Sequence, residues 1–571
     1  MPAQQEQRLN VILEMDYSDD ILATAMTVDG ADVPTLSADV LPGTAGLDID
    51  KEFGAVEIPQ LVQPDIGGAA AFSPFDLSLG SSIDETHKSN SFLVRATVAE
   101  SELKNLEKKV KSDRSIKAIY ADPTIEVCDP DLEESQEDVA AAPAMICPGA
   151  PPLGTDRHVA ARLGVPRLHR RRMDGRGVYV AIVDTGINLA HLRRRGKRPL
   201  LDPTRSFMLR RGDVPGNLPV GHGTMCAYDA LIAAPRATLL DIALLRSTRR
   251  GGGSAMSGLL SDAVRAYAHL YRVMRGVSRP GTINSLVVNN SWGMFHESWD
   301  FPPGHPGRYA DNPRHPFNRI VGILDHAGAD ILFAAGNCGR NCPDGRCRGV
   351  TNAGIFGANA HPQVTCVAGV DVLKRRVGYS TSGPGRLMFL KPDVCGYTHF
   401  RGSGVYSADG GTSAATPVVA GLVAAFRSRF QFNRRDFRTS PAAIRNLLTR
   451  TAEDRGSIGF DFDYGWGIAN GNRLGLIRSL SVFSSADEEA ATVEEVSDIE
   501  SQLDSIEGLN EVPLSGDDFE TLQETTAAEE TSELLDELEA QQAVESIIGG
   551  ISSGTETTTT GQTTKQEEEA I

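Results

Sequence analysis

The chain has 571 residues, 40% of them hydrophobic, and 57 glycines, a composition typical of a globular α/β protein rather than a wholly disordered or fibrous one. Its net charge of −19 comes from one end, since residues 485–571 hold 25 of the 75 acidic residues and one of the 56 basic ones. The other residues hold 50 acidic and 55 basic side chains, so the negative net charge gives no information about the partners of the rest of the chain.

The first residues, MPAQQEQRLNVILEMDYSDD, lack the basic region and apolar run of a signal peptide. No apolar stretch reaches the roughly 18–20 residues that span a bilayer, and eight cysteines in so long a chain do not predict a disulfide framework. We therefore expect a cytoplasmic protein without a membrane span or a nucleic-acid partner; secretion by an unrecognised route is the alternative.

The N-terminal part divides by composition. Residues 1–90 are acidic and rich in Gly, Pro, Ser and Ala, which predicts a flexible leader with a few short strands. A strand at 91–98, a helix at 101–113 and a strand at 116–127 follow from hydrophobic spacing and predict a small α+β module. Residues 128–153 are acidic and then rich in Ala and Pro, which predicts an exposed, cleavable linker.

Apolar runs of strand length alternate with helical patterns between residues 154 and 484. The predicted strands lie at 177–186, 237–245, 285–293, 330–337 and 364–371. One helical pattern, at 257–274, lies between the second and third of them. This alternation predicts a parallel sheet covered on both faces, with ligands beyond the carboxyl ends of the strands. The pattern stops near residue 485, and the acidic tail 485–571 is predicted to be disordered.

Three short stretches carry residues suited to nucleophilic catalysis. Asp184 ends the strand in AIVDTGI, His222 stands between glycines in GHGTMCA, and Ser413 opens a predicted helix in GGTSAATP, with Pro417 in its first turn. Each alone is also explained as a turn-capping Asp, a loop His or a helix-capping Ser. Together they match a serine activated by an imidazole that a carboxylate orients.

A fourth residue adds to this set. In FAAGN, Asn337 follows a predicted strand through Gly336. A side-chain amide at such a position can donate a hydrogen bond to an oxyanion that develops during acyl transfer. A Rossmann-type nucleotide enzyme is disfavoured, because the first predicted strand of this region is followed by DTGINLAH and not by a G-x-G-x-x-G motif.

The segments VDTGI, HGTMCA, AAGN and GTSAATPVVAG, in this order, resemble the motifs of the subtilisin-like serine proteases, or subtilases, over about residues 155–480. The resemblance implies a three-layer α/β/α fold with a mostly parallel sheet. It also implies that Asp184 is the orienting acid, His222 the general base, Ser413 the nucleophile and Asn337 the oxyanion donor.

The segment NNSWG is similar to the family's substrate-binding edge strand. Ser291, Trp292 and Gly293 are therefore expected to pair with an extended peptide substrate, and Trp292 to narrow an apolar pocket. The module at 91–127 resembles the family's inhibitor-like prodomain, so the chain's own prodomain is an expected partner and self-cleavage is expected between residues 128 and 153. The acidic tail is a candidate site for another partner.

The expected function is that of a serine endopeptidase that works through an acyl-enzyme. The enzyme is expected to be made as a zymogen that cleaves itself. The alternative is a peptide-binding scaffold that keeps the protease fold. The four intact site residues argue against that alternative, because the loss of any one of them would mark an inactive relative.

Several features depart from the family pattern. The segment 294–318 is long and rich in Pro, His and aromatic residues, and forms either a loop near the cleft or a surface insertion. Cys338, Cys342 and Cys347 are clustered and leave three readings open: a zinc site with a fourth ligand from elsewhere, a disulfide, or free thiols. Cys226 is expected to be a small buried residue. Calcium is a cofactor of many subtilases, but no ligand loop is recognisable here, so no metal-binding residue is assigned.

Overall fold

The computed structural model describes residues 8–16, 47–50, 52–58, 91–112, 116–128, 145–246, 256–276 and 285–480. The predicted tail 485–571 lies outside these residues, as do most of the leader 1–90 and most of the linker 128–153. All helices and strands described below belong to one compact unit, Met1–Arg478.

Strands and helices alternate along most of this unit. The strands are, in chain order, β1 (Arg8–Asp16), β2 (Leu47–Ile49), β3 (Val56–Glu57), β4 (Ser91–Ala99), β5 (Ile116–Ala121), β6 (Thr124–Val127), β7 (Tyr179–Asp184), β8 (Leu200–Leu201), β9 (Phe207–Met208), β10 (Thr238–Ala243), β11 (Ser257–Leu259), β12 (Leu286–Asn290), β13 (Trp292–Gly293), β14 (Ala329–Ala334), β15 (Thr365–Val370) and β16 (Val394–Tyr397). The α-helices are α1 (Leu103–Ser112), α2 (Asp156–Arg162), α3 (Val165–Arg170), α4 (Leu189–Arg194), α5 (His222–Ala233), α6 (Leu260–Met274), α7 (Pro316–His326), α8 (Gly411–Arg427), α9 (Pro441–Arg450) and α10 (Gly471–Leu474).

A parallel sheet forms the centre of the larger part of the molecule. Its strand order is β16-β15-β14-β12-β7-β10-β8, with β9 also paired to β10, and the ladders that join these strands are parallel. The five strands predicted from the sequence are the five neighbours β15, β14, β12, β7 and β10. Their side chains are buried almost throughout, which is why each is a nearly continuous apolar run.

Helices cover this sheet on both faces. Alternate strand residues such as Ala181, Val183 and Ile242 join the side chains of α6 and α7 in one core cluster. Helices α5 and α8 pack against each other, and α8 contacts strands β12, β14, β15 and β16. Because successive residues of a strand point to opposite faces, the two helix pairs lie on opposite sides. The expected three-layer α/β/α fold is therefore confirmed.

A second, antiparallel sheet is formed by the N-terminal strands, in the order β2-β4-β1-β5 with β3 also paired to β4. The predicted strand at 91–98 and helix at 101–113 are found as β4 and α1. The predicted strand at 116–127 is divided into β5 and β6. The predicted domain boundaries stay predictions.

The assignment of residues 1–90 to a flexible leader is wrong for β1. This strand pairs along all nine of its residues with β4 and also pairs with β5, and its residues Val11, Ile12 and Leu13 are fully buried. The run RLNVILEMD has the apolar content of a buried strand, but its partner residues lie 75 to 91 positions further along the chain, which local composition does not reveal.

The N-terminal sheet packs on the start of α6. Asp122 accepts hydrogen bonds from the Ser261 backbone N–H (2.7 Å) and hydroxyl (2.7 Å). Arg95 donates to Asp262 (3.0 Å), and Phe53 shares a core cluster with α6. A carboxylate near the first turn of a helix is favoured by the unpaired N–H groups there, so this contact fixes the sheet at a defined place.

Segment 294–318 reaches both parts of the molecule. Phe295 packs against Cys128 near the predicted site, as expected of a loop near the cleft. The same segment also holds the N-terminal sheet, which the sequence did not suggest: Phe301 joins its core, Gly307 O accepts from Ala121 N (2.9 Å), and His315 Nε2 donates to Ala121 O (2.9 Å).

Candidate active site

Asp184 and His222 form a buried pair beyond the carboxyl edge of the parallel sheet. Asp184 is the last residue of β7, and His222 is the first residue of α5. The imidazole Nδ1 lies 2.9 and 3.0 Å from the two carboxylate oxygens, so Nδ1 carries the proton and donates it to the carboxylate. The carboxylate also accepts from the Thr185 backbone N–H (2.7 Å). This arrangement leaves Nε2 as the basic nitrogen of the ring.

The glycine after His222 allows the start of α5 to approach the turn after Asp184. A Cβ atom at Gly223 would lie 2.6 Å from Gly186 O and 2.9 Å from Gly186 N, both backbone atoms that cannot swing away. The Gly223 N–H donates to the Thr185 hydroxyl (2.9 Å). The glycine is therefore required for the close packing that brings His222 to Asp184.

Ser413 is the third residue of α8, and it is fully buried. Its hydroxyl donates to Ser291 O (3.0 Å), while the Ser291 hydroxyl donates to Ser413 O (2.9 Å). The predicted place of Pro417 in the first turn is wrong, because Pro417 is the seventh residue of the helix. Proline has no N–H to donate to the carbonyl four residues earlier, which leaves Ser413 O available to Ser291.

Cys226 brings the three predicted residues into one cluster. Its sulfur lies 3.7 Å from each of Asp184 Oδ2, His222 Nδ1 and Ser413 O. The side chain is fully buried on α5, in keeping with its predicted role as a small packing residue. The side chains of Asp184 and His222 and the backbone carbonyl of Ser413 therefore meet around one sulfur atom, although the three residues are separated by up to 229 positions in the numbering.

The amide of Asn337 has a defined orientation. Its Oδ1 accepts from the Thr412 backbone N–H (3.0 Å) and from the Thr412 hydroxyl (3.0 Å). Its Nδ2 must then point the other way, and it donates to Cys128 O (2.7 Å). Gly336, with φ +99°, provides the left-handed turn that precedes it. Because oxygen and nitrogen of an amide are assigned from their partners, these donors fix Nδ2 as the group that faces the cleft.

The cleft beside these residues is occupied by the chain's own strand β6. This strand lies between β11 and β13 and pairs with both in antiparallel fashion. Trp292 is opposite Val127, and Gly293 is opposite Glu126. Beyond the strand, the Cys128 N–H donates to Ser291 O (2.9 Å), the same oxygen that accepts from the Ser413 hydroxyl.

The side chain of Trp292 does not line the cleft, so the expectation that it narrows an apolar pocket is wrong. Its indole N–H donates to Val183 O (3.0 Å), and its ring packs against Phe317 and Phe333 in the core. Successive residues of a strand alternate between faces. The backbone of Trp292 can therefore pair with β6 while its ring lies in the interior.

Three features of the cleft were missed. Residues 257–259, interpreted as the start of a helix, form the edge strand β11. Asn359 Nδ2 donates to Trp292 O (2.8 Å) and Ala334 O (2.8 Å) and so holds β13 in place. Arg346 contacts β6. Of the three, only β11 had a sequence signal: Ser257 and Gly258 are poor helix formers.

The clustered cysteines form disulfides in this structure, which excludes free thiols and a zinc site at their sulfur atoms in this state. Cys338 is bonded to Cys347, and Cys342 is bonded to Cys147. Cys147 lies far from the cluster in sequence, which is why spacing alone left the alternatives open. Calcium stays unassigned to any residue of this chain.

The sequence model of the Subtilase family matches residues 175–467, which is more than half of the chain. Three similar relatives are Subtilisin Savinase from Lederbergia lenta, M-protease from Shouchella clausii (strain KSM-K16) and Subtilisin E from Bacillus subtilis (strain 168). The first is 27% identical over 319 residues, covering 54% of this chain and 95% of the relative. M-protease is 26% identical over 368 residues (63% and 76%), and Subtilisin E is 27% identical over 316 residues (54% and 68%).

The expectation of a cytoplasmic location is wrong. It rested on the lack of a recognisable signal peptide, and the similarity to subtilisins contradicts it. The two disulfides agree with this correction, because such bonds persist in oxidising environments and are rare in the cytosol. Within the part of the chain that the structure describes, no helix is both long and apolar enough to cross a membrane.

The family match agrees with two features of the structure that the resemblance implied. These are the parallel sheet and the buried Asp–His pair beyond its carboxyl edge. The family and its relatives act on proteins, so the substrate class is a protein or peptide. The chain belongs to the subtilase family, and it is a serine endopeptidase.

Proposed function

We propose that Asp184, His222 and Ser413 are the catalytic triad of this endopeptidase. In this mechanism His222 Nε2 takes the proton of the Ser413 hydroxyl as that oxygen attacks a peptide carbonyl, and later returns the proton to the leaving amine. Asp184 holds the imidazole through Nδ1 and stabilises its protonated form. The Asp184–His222 geometry and the shared contacts of Cys226 support these roles.

Asn337 is proposed to stabilise the oxyanion of the tetrahedral intermediate. The carbonyl oxygen that becomes the oxyanion is the kind of acceptor that Asn337 Nδ2 already binds, namely Cys128 O at 2.7 Å. The backbone N–H of Ser413 lies in the first turn of α8, where an N–H has no acceptor within the helix, and is suited to act as a second donor. Donors held in place before the reaction cost little reorganisation when charge develops.

Peptide substrates are proposed to bind as an added strand between β11 and β13. Strand β6 supports this proposal, because its backbone pairs with both edges and its next residue, Cys128, reaches Asn337 and Ser291. Ser291 and Gly293 would thus bind substrate through backbone groups, as would Trp292. Main-chain pairing gives affinity for extended peptides of many sequences.

The N-terminal part up to Cys128 is proposed to be a prodomain that the enzyme removes by cutting the bond between Cys128 and Asp129. The single observation that carries this proposal is the hydrogen bond from Asn337 Nδ2 to Cys128 O, because it selects the Cys128 carbonyl as the one presented for attack. Ser413 Oγ would form an ester with the Cys128 carbonyl carbon as the bond to the Asp129 nitrogen breaks. Water then releases the Cys128 carboxylate and regenerates Ser413.

The test compares the purified wild-type chain with Ser413→Ala and with the control Ser457→Ala. The control changes an exposed serine that is not one of the proposed site residues. We expect the wild type and Ser457→Ala to give fragments that end at Cys128 and begin at Asp129 by mass spectrometry, and Ser413→Ala to stay intact. Processing of Ser413→Ala at the wild-type rate would refute the assignment of the nucleophile. Processing at a different bond would refute only the proposed cleavage position.

A further inference from the structure

Arg346 contacts the strand that occupies the cleft. Its Nη1 donates to Glu126 Oε2 (3.1 Å) and to Val127 O (2.9 Å). The two side chains of the ion pair are only 16% and 17% exposed. Glu126 is the third residue before the proposed cleavage position, counting Cys128 as the first. One guanidinium therefore binds the carboxylate of Glu126 and the adjacent main-chain carbonyl of Val127 at the same time.

Arg346 is held in position by the protease itself and not only by β6. Its Nε and Nη2 donate to the two oxygens of Asp344 (2.8 and 2.6 Å), a two-point contact that fixes the plane of the guanidinium. Its Cζ lies 3.8 Å from the centre of the Phe295 ring, within the range of a cation–π contact. An arginine fixed on two sides loses little conformational freedom when a peptide binds.

The loop that carries Arg346 is tied to the catalytic groups. Asp344 N donates to Asn337 O (2.9 Å), and the disulfide between Cys338 and Cys347 closes the loop directly after Asn337. Cys347 also packs in the cluster around Cys128. The same closed loop therefore contacts the first and the third residue of the bound strand.

We propose that Arg346 makes this protease select peptides with an acidic side chain three residues before the cleaved bond. The inference rests on the proposed function, since β6 represents a substrate only if the cleft is the active site. A glutamate at that position gains a charge-assisted hydrogen bond in a partly desolvated place. A lysine there would face the fixed guanidinium with a like charge, which is penalised where water is partly excluded.

The test uses internally quenched peptides with the sequence of residues 123–132, PTIEVCDPDL, and two derivatives with Gln or Lys in place of Glu. Pairs of peptides compete in the same tube with the self-processed full chain. The ratio of kcat/KM values then does not depend on the fraction of enzyme whose cleft is open, and so not on the fraction still occupied by the cleaved N-terminal part. We expect the wild type to prefer Glu over Lys by about tenfold or more, with the Gln peptide between them.

Variants of Arg346 should change this ratio without abolishing hydrolysis of the Gln peptide. Arg346→Gln is expected to bring the Glu:Lys ratio close to one, and Arg346→Glu to reverse it. Arg348→Gln is the matched control, since Arg348 is an exposed arginine two residues further along the same loop and should keep the wild-type ratio. If Arg346→Glu fails to fold, the wild type and Arg346→Gln decide the question.

The outcomes separate this inference from the proposed function. A wild type that cuts the Gln peptide, with no activity in Ser413→Ala and a Glu:Lys ratio near one, would overturn the role of Arg346 and leave the active site intact. An unchanged Glu preference in Arg346→Glu would overturn it as well. Equal hydrolysis by the wild type and Ser413→Ala would instead refute the proposed active site.

Discussion

Two buried carboxyl groups lie on neighbouring strands at the site and have different partners. Asp184 on β7 binds an imidazole. Asp241 on β10 accepts only backbone N–H groups among the described residues, from Gly216 (2.8 Å) and Ile187 (3.2 Å). Burial, and to a smaller extent the nearby Asp184 carboxylate, raise the pKa of Asp241 to about 7 even though the two backbone N–H groups lower it. A proton on Asp241 at mildly acidic pH keeps a second negative charge away from Asp184.

Asp241→Asn should remove a pH-dependent loss of stability. Because the pKa of Asp241 is near 4 in the unfolded chain and about 7 in the folded one, its favourable contribution is complete below about pH 4 and lost as the pH rises through 7. Asparagine stays neutral and can keep both N–H contacts through its oxygen. The free energy of unfolding of the variant, relative to the wild type, should therefore rise between pH 4 and pH 8 by as much as about 4 kcal/mol.

Guanidinium unfolding of both proteins, in a Ser413→Ala background that prevents self-digestion, measures this difference. The expected result is a change with pH in the difference between the two free energies of unfolding. The absolute difference also includes the cost of burying the new amide N–H groups, which does not vary with pH. Two stability curves that run parallel from pH 4 to pH 8 would contradict the raised pKa of Asp241.

Asn337→Ala should slow catalysis more than it weakens substrate binding. Loss of one oxyanion donor typically lowers kcat by about 10²- to 10³-fold, because the interaction is strongest in the transition state. The Thr412 donors would also lose their acceptor, with a cost of about 1–3 kcal/mol in stability. The rate of self-processing and the kcat on a peptide measure the first effect, and thermal unfolding measures the second.

Asn352→Ala is the control for this variant, because Asn352 is exposed in a nearby loop. It should process itself at the wild-type rate. An Asn337→Ala chain that is as fast as this control would show that Nδ2 does not act on the reacting carbonyl.

At the scale of structural elements, the two disulfides act on different parts of the molecule. Cys338–Cys347 closes a short loop, with a sequence separation of 9, beside Asn337 and Arg346. Cys147–Cys342 joins residues 195 positions apart and fixes the segment around Ile146, which is buried against Val377 and Tyr379. The first bond shapes the cleft, whereas the second restrains the unfolded chain.

Paired serine substitutions should separate these two roles. Cys338→Ser with Cys347→Ser should lower kcat/KM on the Glu peptide by about tenfold and cost about 3 kcal/mol of stability. Cys147→Ser with Cys342→Ser should leave kcat/KM within about threefold and cost about 5 kcal/mol, since loop-closure entropy grows with loop length. Peptide kinetics and denaturant unfolding of the two double variants measure both quantities. Equal losses of kcat/KM in the two would contradict a specific role for the short loop.

At the scale of the whole molecule, the N-terminal part up to Cys128 is held at three places. Strand β6 fills the cleft, the contacts of Asp122 and Arg95 fix the sheet on the start of α6, and segment 294–318 packs on its edge. The contacts on α6 and segment 294–318 do not involve the reacting groups. We therefore expect the N-terminal part to stay bound after the bond at Cys128 is cut.

Reversing one charge at this contact should release the N-terminal part after processing. Arg95 and Asp262 are 13% and 9% exposed, and loss of one partner of a buried pair costs about 3 kcal/mol or more. Asp262→Arg should therefore give fragments that separate on size exclusion, while the wild-type fragments elute together.

Asp48→Asn provides the control, because the Arg8–Asp48 pair is exposed, at 46% and 81%, and such pairs contribute little. It should behave as the wild type. If fragments of Asp262→Arg elute together as firmly as those of the wild type, the contact on α6 does not hold the N-terminal part.

The sequence by itself determined the family and the five central strands, and it predicted the four site residues. These features are local: a buried parallel strand is a continuous apolar run, and His222 or Ser413 is recognised by the small residues that its close packing requires. The helix that begins beside Ser413 was likewise predictable, because its helix-forming residues are contiguous.

Only the tertiary structure decided which distant segments meet. Strand β1 looked like part of a leader because its partner β4 lies far along the chain, and Cys342 finds its partner at Cys147 for the same kind of reason. The side chain of Trp292 turns inward because the strand's alternation is set by its neighbours. The contact of Arg346 with the strand in the cleft was equally invisible, since a pairing between residues 220 positions apart depends on the shape of the folded chain and not on local hydrophobic spacing.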